Sequence, residues 1–548
     1  MELWDFRIDE KDAGKSEKWY ENFPKDSEKI IVPSCWNTAP KYNDYFGAAW
    51  YRTFFETDYK NVYIKFNGVL DGCEVYLDGK FLGEHYGSFT DFGFLCENIK
   101  RGKHCLTDRV DNTFNDIDSV PLKRVDWFHY GGIFKKVEFI GFDDFLLTDK
   151  KIDYTLAEDL KSAFVRVQVK ILTANGKTIK LPVKVWADGE EVFEKELRII
   201  NDEIIDVCEF ALKDIKLWNV LDPSFHQISF SVGENVYNQR IGFRKIEIKN
   251  GLFYLNKKKI YFKGVNRHNE HPDWGFSVPF AILKKDVDLI INSGCNVIRG
   301  SHYPNDEKLL DYCDEKGVLF WEEIPLWGYP EEALKSERVL ETSYNAYERM
   351  LVRDFHHPCI IIWGLHNEID TRTIPAQKLS EKLSQIIKAY DSHRLITFAT
   401  KYCYEDICLD YADFISVNMY YGWYDELFDY WHKCIDDLYD RLKTLNMQNK
   451  PIVLSEFGVE ALYGLNTVEN IKWSENYQSD YIEKVLNIMF NDKRVQGTLV
   501  WQFCDAKSSD CFSIQRPRGY NNKGLLNEYR MPKKAYFTTK RLYESKKD

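Results

Sequence analysis

Ile360-Ile-Ile-Trp-Gly-Leu-His-Asn-Glu368 is an unbroken apolar run that ends abruptly in an amide and a carboxylate. A continuous Ile/Val/Leu run of this length marks a strand covered on both faces, the environment of a parallel sheet. The same grammar recurs across the last 300 or so residues, predicting strands over 260–265, 296–301, 318–324, 360–365, 395–399, 414–420, 452–456 and 498–503. Helices are predicted between them at 284–293, 336–353 with Ser336 as N-cap, 376–390 and 474–490. Eight βα repeats in a stretch of that size predict a (β/α)8 TIM barrel, whose chemistry sits where the strands end.

Upstream of Lys245 the pattern changes to short alternating stretches. Val62-Tyr-Ile-Lys-Phe-Asn-Gly68 and Val75-Tyr-Leu-Asp-Gly-Lys-Phe-Leu82, the second a hairpin around Asp78-Gly79, predict a jelly-roll-like β-sandwich. Phe164-Val-Arg-Val-Gln-Val-Lys-Ile171 and Leu181-Pro-Val-Lys-Val-Trp186 continue the alternation over a length suited to an immunoglobulin-like β-sandwich. The expected fold class is therefore multidomain, with a sugar-binding-like sandwich over 1–143, the immunoglobulin-like sandwich over 144–245 and the barrel over 246–548. A chain of 548 residues accommodates three such cores.

Composition narrows the function. The chain is 44% hydrophobic, 16% aromatic and 29% charged, which is globular rather than disordered. A net charge of -12 argues against a nucleic-acid partner, because phosphate binding needs a clustered basic face. Lys257-Lys258-Lys259 is too short for one and is read as a solvated hairpin turn. No apolar run approaches the roughly 18 residues of a membrane span. The acidic opening MELWDFRIDE and thirteen scattered cysteines, with no Cys-x-x-Cys pair, point to reduced thiols and a cytoplasmic location.

Polar residues collect where the strands should end. Asn266-Arg-His268 follows the first, Ser301-His-Tyr303 the second, and Glu322-Glu323 closes the third. Asn367-Glu368 follows the fourth, Asn418-Met-Tyr420 the sixth, Glu456 the seventh and Trp501-Gln-Phe503 the eighth. Seven such sites on one rim point to an active site. Two dominant carboxylates on a barrel rim point to glycoside hydrolysis, which needs a protonated acid at the leaving oxygen and a carboxylate facing the anomeric carbon. Glu368 and Glu456 are the candidates, carried by strands that face each other across the barrel. A separation of about 5–5.5 Å would give retention of configuration. The roles require Glu368 to hold a proton while donors, Tyr420 among them, keep Glu456 ionised. Glu322 and Glu323 are read as supporting charges, and the His268, His271 and His302 cluster as substrate or supporting contacts, since its spacing is not that of a zinc site.

Asn296-Val-Ile-Arg-Gly-Ser-His-Tyr-Pro304 and Asp354-Phe-His-His-Pro-Cys-Ile-Ile-Ile-Trp-Gly-Leu-His-Asn-Glu368 resemble two signatures of the glycoside hydrolase family that contains β-galactosidases, β-mannosidases and β-glucuronidases (family 2). Gly300, Phe355 and His356 depart from the usual residues. The likeness runs from about Val32-Pro33 to Lys540 and is strongest to the glucuronidase branch, through Asn418-Met-Tyr-Tyr-Gly-Trp-Tyr424, Pro451-Ile-Val-Leu-Ser-Glu-Phe-Gly-Val-Glu460 and Asn521-Asn-Lys-Gly524. The resemblance implies Glu368 as general acid/base, Glu456 as nucleophile and Asn367 as a ligand of the sugar 2-hydroxyl. It also implies Asn521 and Lys523 as the grasp on a substrate carboxylate. Asp126, His268, Asn418, Tyr420, Tyr424 and Trp501 would line the sugar, with Arg516 or its neighbour Arg518 assisting. The expected activity is retaining exo-hydrolysis of small or oligomeric β-D-glucuronides through a glycosyl-enzyme, with no cofactor or metal, in a homodimer or homotetramer. A carbohydrate-binding protein on a dead barrel and a neutral-sugar hydrolase are the competing readings. Between Glu323 and Ile360 the chain has room for little beyond a turn and one helix, so an open mouth is expected.

Overall fold

The computed structural model describes residues 2–220, 222–509 and 516–547. Two β-sandwiches precede a closed parallel barrel. In the first, the strands Glu28–Val32, Glu2–Asp9, Ala48–Thr57, Gly102–Asp111, Gly72–Leu77 and Lys80–His85 form one antiparallel sheet in that spatial order. Phe92–Cys96, Asn61–Phe66 and Val137–Phe142 form the other. Alternation decides which side chains enter: Val62, Ile64 and Phe66 point inward with Trp4, Phe6, Tyr51, Val75 and Leu106. The Asp78-Gly79 hairpin is present, and both residues take positive φ (50° and 77°), the backbone a two-residue turn requires.

The second sandwich sets Phe145–Leu156, Ser162–Thr173 and Ile204–Lys213 against Glu190–Ile199, Ile179–Ala187, His226–Val232 and Asn235–Ile241. Val165, Val167, Val169 and Ile171 meet Val183, Val185 and Phe230 in its core, while Phe164 on the opposite face stays exposed.

All eight predicted barrel strands exist, running Phe262–Asn266, Val297–Arg299, Leu319–Glu323, Ile360–Asn367, Leu395–Thr400, Ile415–Asn418, Ile452–Phe457 and Val495–Val500, with the first pairing the last. The eighth ends earlier than expected, so Trp501-Gln502-Phe503 lies beyond the ladder rather than in it. The sixth likewise stops before Tyr420. The four predicted helices are Phe280–Asn292, Glu337–Asp354, Ile374–Tyr390 and Glu475–Asn491. Ser336 and Ser474 cap two of them by accepting from the Val339 and Tyr477 amides. Three further helices, Glu307–Lys316, Cys434–Thr444 and Lys534–Ser545, were not predicted. The first carries ordinary signals nonetheless, an Asp306 cap and Gly317 at φ 67° as its stop.

A small sheet, Ile246–Lys249, Leu252–Leu255 and Lys258–Ile260, closes the barrel floor. Its tight turn is Asn256-Lys257, so the three-lysine run is indeed a solvated hairpin. Phe253 stacks on Phe262 at 4.3 Å and meets the Phe414 ring edge-on at 5.1 Å, plugging the end opposite the rim. The immunoglobulin-like domain is fastened by Arg244, buried and donating to the Pro358 and Ile360 carbonyls at 3.1 and 2.7 Å. The first sandwich grips the rim itself: Phe89 stacks on Tyr303 at 4.1 Å, and the Tyr130 hydroxyl donates to Glu270 at 2.8 Å. Trp127, Phe128 and Tyr130 join Phe276 and Tyr303 in one apolar cluster, which carries the neighbouring Asp126 onto the barrel. Among the described residues, twelve cysteines are unpaired and no helix is long and apolar enough to cross a membrane.

Truncating the floor plug leaves a cavity in a core that cannot collapse. Phe253→Ala should cost roughly 3–5 kcal/mol, against less than about 1 kcal/mol for Phe164→Ala on the sandwich surface. Denaturant unfolding of the two variants checks this, and equal midpoints would show that Phe253 does not seal the barrel.

Candidate active site

Glu368 leaves its strand at φ 53°, a left-handed conformation uncommon for any residue but glycine, with its amide donating to the Ala399 carbonyl at 2.9 Å. The kink brings its carboxylate over the barrel axis. Asn418 Nδ2 donates to Glu368 Oε1 at 2.8 Å and to Asn367 Oδ1 at 3.1 Å, while Ser455 holds the Asn418 carbonyl oxygen at 2.8 Å. On the outer side the Lys401 ammonium stands 3.3 Å from Glu368 Oε2.

Glu456 is the penultimate residue of the seventh strand and is almost wholly buried. Tyr420 donates its hydroxyl to Oε2 at 2.7 Å, and Arg299 donates to Oε1 at 2.7 Å. Arg299 is completely enclosed and serves several acceptors at once: Glu323 through Nε and Nη2 (3.0 and 2.9 Å), Asn266 Oδ1 (3.0 Å) and Asn367 Oδ1 (2.8 Å). It also lies over the Trp321 ring at 4.7 Å. Arg299 therefore pairs with both Glu456 and Glu323.

The electrostatics of Glu456 differ from the expectation. Donors were expected to hold it ionised; instead burial pushes its carboxyl up to about 8, with the Glu368 charge adding to the rise while Arg299 and Tyr420 oppose it. The reason is that one guanidinium is divided between two carboxylates. Glu323 takes the two-pronged contact and, against the same burial, is held below the usual range by Arg299 and His302.

The wall around the pair is aromatic and neutral. Trp501 stacks on His302 at 5.1 Å and meets His268 edge-on at 5.4 Å; Trp127, from the first sandwich, is 5.8 Å from the His268 ring. Burial lowers His268 well below the usual histidine range, with the His302, Arg267 and Arg299 charges acting in the same direction. Its Nδ1 bonds the Tyr303 hydroxyl at 3.1 Å. That hydroxyl already accepts from the Asn269 amide, so the ring proton is assigned to Nε2. Among the described residues, His268 Nε2 and Asn367 Nδ2 are buried without a protein partner, two polar atoms that a bound sugar would satisfy. Glu322 lies behind the rim, accepting from the Asn305 amide. His271 packs on Tyr529, away from this wall. Among the described residues the ligating atoms that gather within 4.8 Å are those of Asp311, Asp314 and His357, beneath the immunoglobulin-like domain rather than on the rim.

Beyond Tyr420 lies a second charged group. Lys523 is buried, with its ammonium 2.7 Å from the Tyr424 hydroxyl and 5.4, 5.9 and 4.9 Å from the centroids of Tyr420, Trp423 and Tyr424. Arg516 clamps Asp126 through Nε and Nη2 (3.1 and 2.6 Å) and also grips Glu460, leaving Glu460 3.5 Å from Lys523. Asn521 donates to Asp126 at 2.8 Å and accepts from the Lys523 amide at 3.2 Å. Arg518 instead pairs with Glu528 at 2.8 Å and is half-exposed, so Arg516 is the arginine that faces the group.

The structure thus brings together Asp126, His268, Asn367, Glu368, Asn418, Tyr420, Tyr424, Glu456, Trp501, Arg516, Asn521 and Lys523. Three residues of the cluster were not singled out from sequence: Arg299, Lys401 and Glu460. The first two obey the rule that found the others, a charge immediately at a strand end. Lys401 follows the fifth strand, the one rim position left empty in the sequence reading.

Three models of glycosyl hydrolases family 2 match the chain: the sugar binding domain over residues 2–141, the central domain over 146–244 and the TIM barrel domain over 246–547. A β-glucuronidase of Streptococcus agalactiae is 26% identical over 97% of this chain and 94% of its own. Among solved structures, a β-galacturonidase from Eisenbergiella tayi bound to galacturonate superposes with a TM-score of 0.90 at 30% identity, covering 99% of this chain and 96% of that one. A β-glucuronidase from Ruminococcus gnavus in complex with D-glucaro-d-lactam gives 0.85 at 27%, with the same coverage. With all three models matched and likeness along nearly the whole length, this chain belongs to glycosyl hydrolases family 2 and is a glycoside hydrolase.

Proposed function

We propose that the protein is a retaining exo-β-D-glucuronidase in which Glu368 is the general acid/base and Glu456 the nucleophile. Glu368 protonates the glycosidic oxygen as its bond to the anomeric carbon breaks, and Glu456 attacks that carbon from the opposite face to give a glycosyl ester. Water, losing its proton to Glu368, then attacks the same anomeric carbon and displaces Glu456 as its carboxylate, so configuration is retained. Asn367, with its free Nδ2, takes the 2-hydroxyl, and His268 a further hydroxyl. Asn521 and Lys523 take the sugar carboxylate, and Arg516 holds Asp126 against them.

The observation that carries this reading is the place of Tyr420. Its hydroxyl bonds Glu456 and its ring lies against the Lys523 ammonium, so a buried cation stands one side chain away from the nucleophile. A uronic acid offers that ammonium a carboxylate of its own, whereas a neutral hexose leaves it with the Tyr424 hydroxyl at 2.7 Å and with Glu460 at 3.5 Å, a carboxylate already gripped by Arg516. The named relatives act on uronides as well. A second reading, hydrolysis of β-galacturonides, is favoured by the 30% identity to the Eisenbergiella tayi enzyme, since a galacturonide carries the same carboxylate and differs in one hydroxyl configuration.

Turnover of matched chromogenic glucuronide, galacturonide, glucoside and galactoside tests both. Either uronide should exceed its neutral counterpart by about 100-fold or more in kcat/KM, and the better uronide names the substrate. Lys523→Met should remove most of that margin while changing the glucoside rate less than about threefold. An equal loss on every sugar would make the lysine structural. A 2-fluoro sugar should label Glu456, and absence of label would favour a binding protein.

The raised Glu456 sets a pH limit. The acid step needs one proton in the site, and that proton is the one burial keeps on Glu456. Raising the pH through about 8 removes it from the open site, so kcat/KM should fall by about tenfold per unit above that value. Glu368→Gln assayed with a good leaving group, which needs no acid, should lose this alkaline limb. An unchanged limb would assign the ionisation to another group.

A further inference from the structure

We infer that Lys401 selects glycosides whose leaving group bears an anionic substituent, a carboxylate or a sulfate. The inference rests on the reading of Glu368 as the acid that protonates the leaving oxygen. The leaving group must then pass on the Oε2 side of Glu368, since Oε1 is held by Asn418. That is the side on which Lys401 stands, 3.3 Å from Oε2, with its side chain 42% exposed. Among the described residues Glu368 is the one carboxylate within 4.0 Å of the Lys401 ammonium. Lys401 also lies over the Tyr402 ring at 5.4 Å, and the neighbouring cation is held by more partners. Arg372 pairs with Asp370 at 2.8 Å and Glu405 at 3.6 Å and lies over the Tyr402 ring at 4.2 Å.

The fit between this lysine and the reaction is poor unless a second anion arrives. Lys401 and the leaving oxygen claim the same Glu368 oxygen, Oε2, so the ammonium has to move aside as the aglycone arrives. An anionic group on the incoming aglycone gives the flexible four-carbon stem a better partner and draws the ammonium off Glu368. Between Glu323 and Ile360 the chain folds only into the short turn Ala333–Lys335 and the helix Glu337–Asp354, as the sequence led us to expect. Lys401 keeps 42% of its side chain exposed, so the cation can act on what arrives from solvent. The anion could belong to an aromatic acid or to an acidic sugar at the next position of an oligosaccharide.

The test uses the full chain and two pairs of glucuronides. One pair is 4-carboxyphenyl and its neutral isostere 4-carbamoylphenyl, which keep the leaving-group electronics similar. The other is a disaccharide with a uronic acid at the reducing end and its neutral-hexose counterpart. The native enzyme should prefer the charged member of at least one pair by about fivefold in kcat/KM at low ionic strength, and the pair that shows it identifies the source. The margin should shrink in about 0.5 M salt. Lys401→Gln should abolish it and Lys401→Arg retain it. No preference in either pair, or a Lys401→Gln loss equal on charged and neutral members, would overturn the proposal and make Lys401 a positioning residue for Glu368. Turnover of the neutral members with no charge preference would sink this inference alone. No turnover of any glucuronide would sink the underlying reading, and this inference with it.

Discussion

One buried guanidinium organises the barrel mouth. Arg299 is fully enclosed and donates to Glu323, Glu456, Asn266 and Asn367, residues supplied by the first, third, fourth and seventh strands. Moving an arginine out of water costs several kcal/mol unless its donors are met, and here two carboxylates and two amides meet them. The consequence is asymmetric. Glu323 has the two-pronged contact and stays charged, while Glu456 shares what remains and is pushed up to about 8 by burial. A carboxyl raised in that way can hold a proton near neutral pH and give it up to a stronger base. The same guanidinium fixes the Asn367 carbonyl, and so leaves its amide nitrogen facing the site with no partner among the described residues.

The far end of the site is built by another mechanism. Asp126 belongs to the first sandwich, Glu460 and Lys523 to the barrel, and Arg516 ties them by gripping both acids. The sandwich loop can reach so far because Trp127, Phe128 and Tyr130 pack into one cluster with Phe276 and Tyr303 from the barrel. Apolar burial between domains thus supplies the energy, and the polar group beside it supplies the specificity. The catalytic centre depends on the first sandwich as well as on the barrel.

The barrel and its rim were legible because a parallel strand must be apolar on both faces, so a polar residue at its end stands out against its own neighbours. Glu368, Glu456, Asn418 and Trp501 were found in that way. The helices Glu307–Lys316 and Cys434–Thr444 escaped although each buries an apolar stripe at helical spacing, Leu309, Leu310 and Cys313 in one and Ile435, Leu438 and Leu442 in the other; they are short, and their outer faces are charged. Asn521 and Lys523 were found only through resemblance, because they lie beyond the last strand in irregular chain where no period applies. Arg516 and Arg518 are two positions apart and chemically identical. Only the fold could say that one faces Asp126 while the other turns to Glu528.

The sequence by itself determined the elements, their order and which side chains stand at the strand ends, since these follow from local periodicity and from the chemistry of each residue. Tertiary structure alone decided which charges meet. Arg299 was a strand residue with several candidate partners, and Glu456 a carboxylate expected to be ionised. Their pairing, and the pKa that results, depend on distances between strands up to 157 positions apart in the chain and on the exclusion of water. Coulomb and desolvation energies vary steeply with those two quantities, and neither is written in any stretch of neighbouring residues.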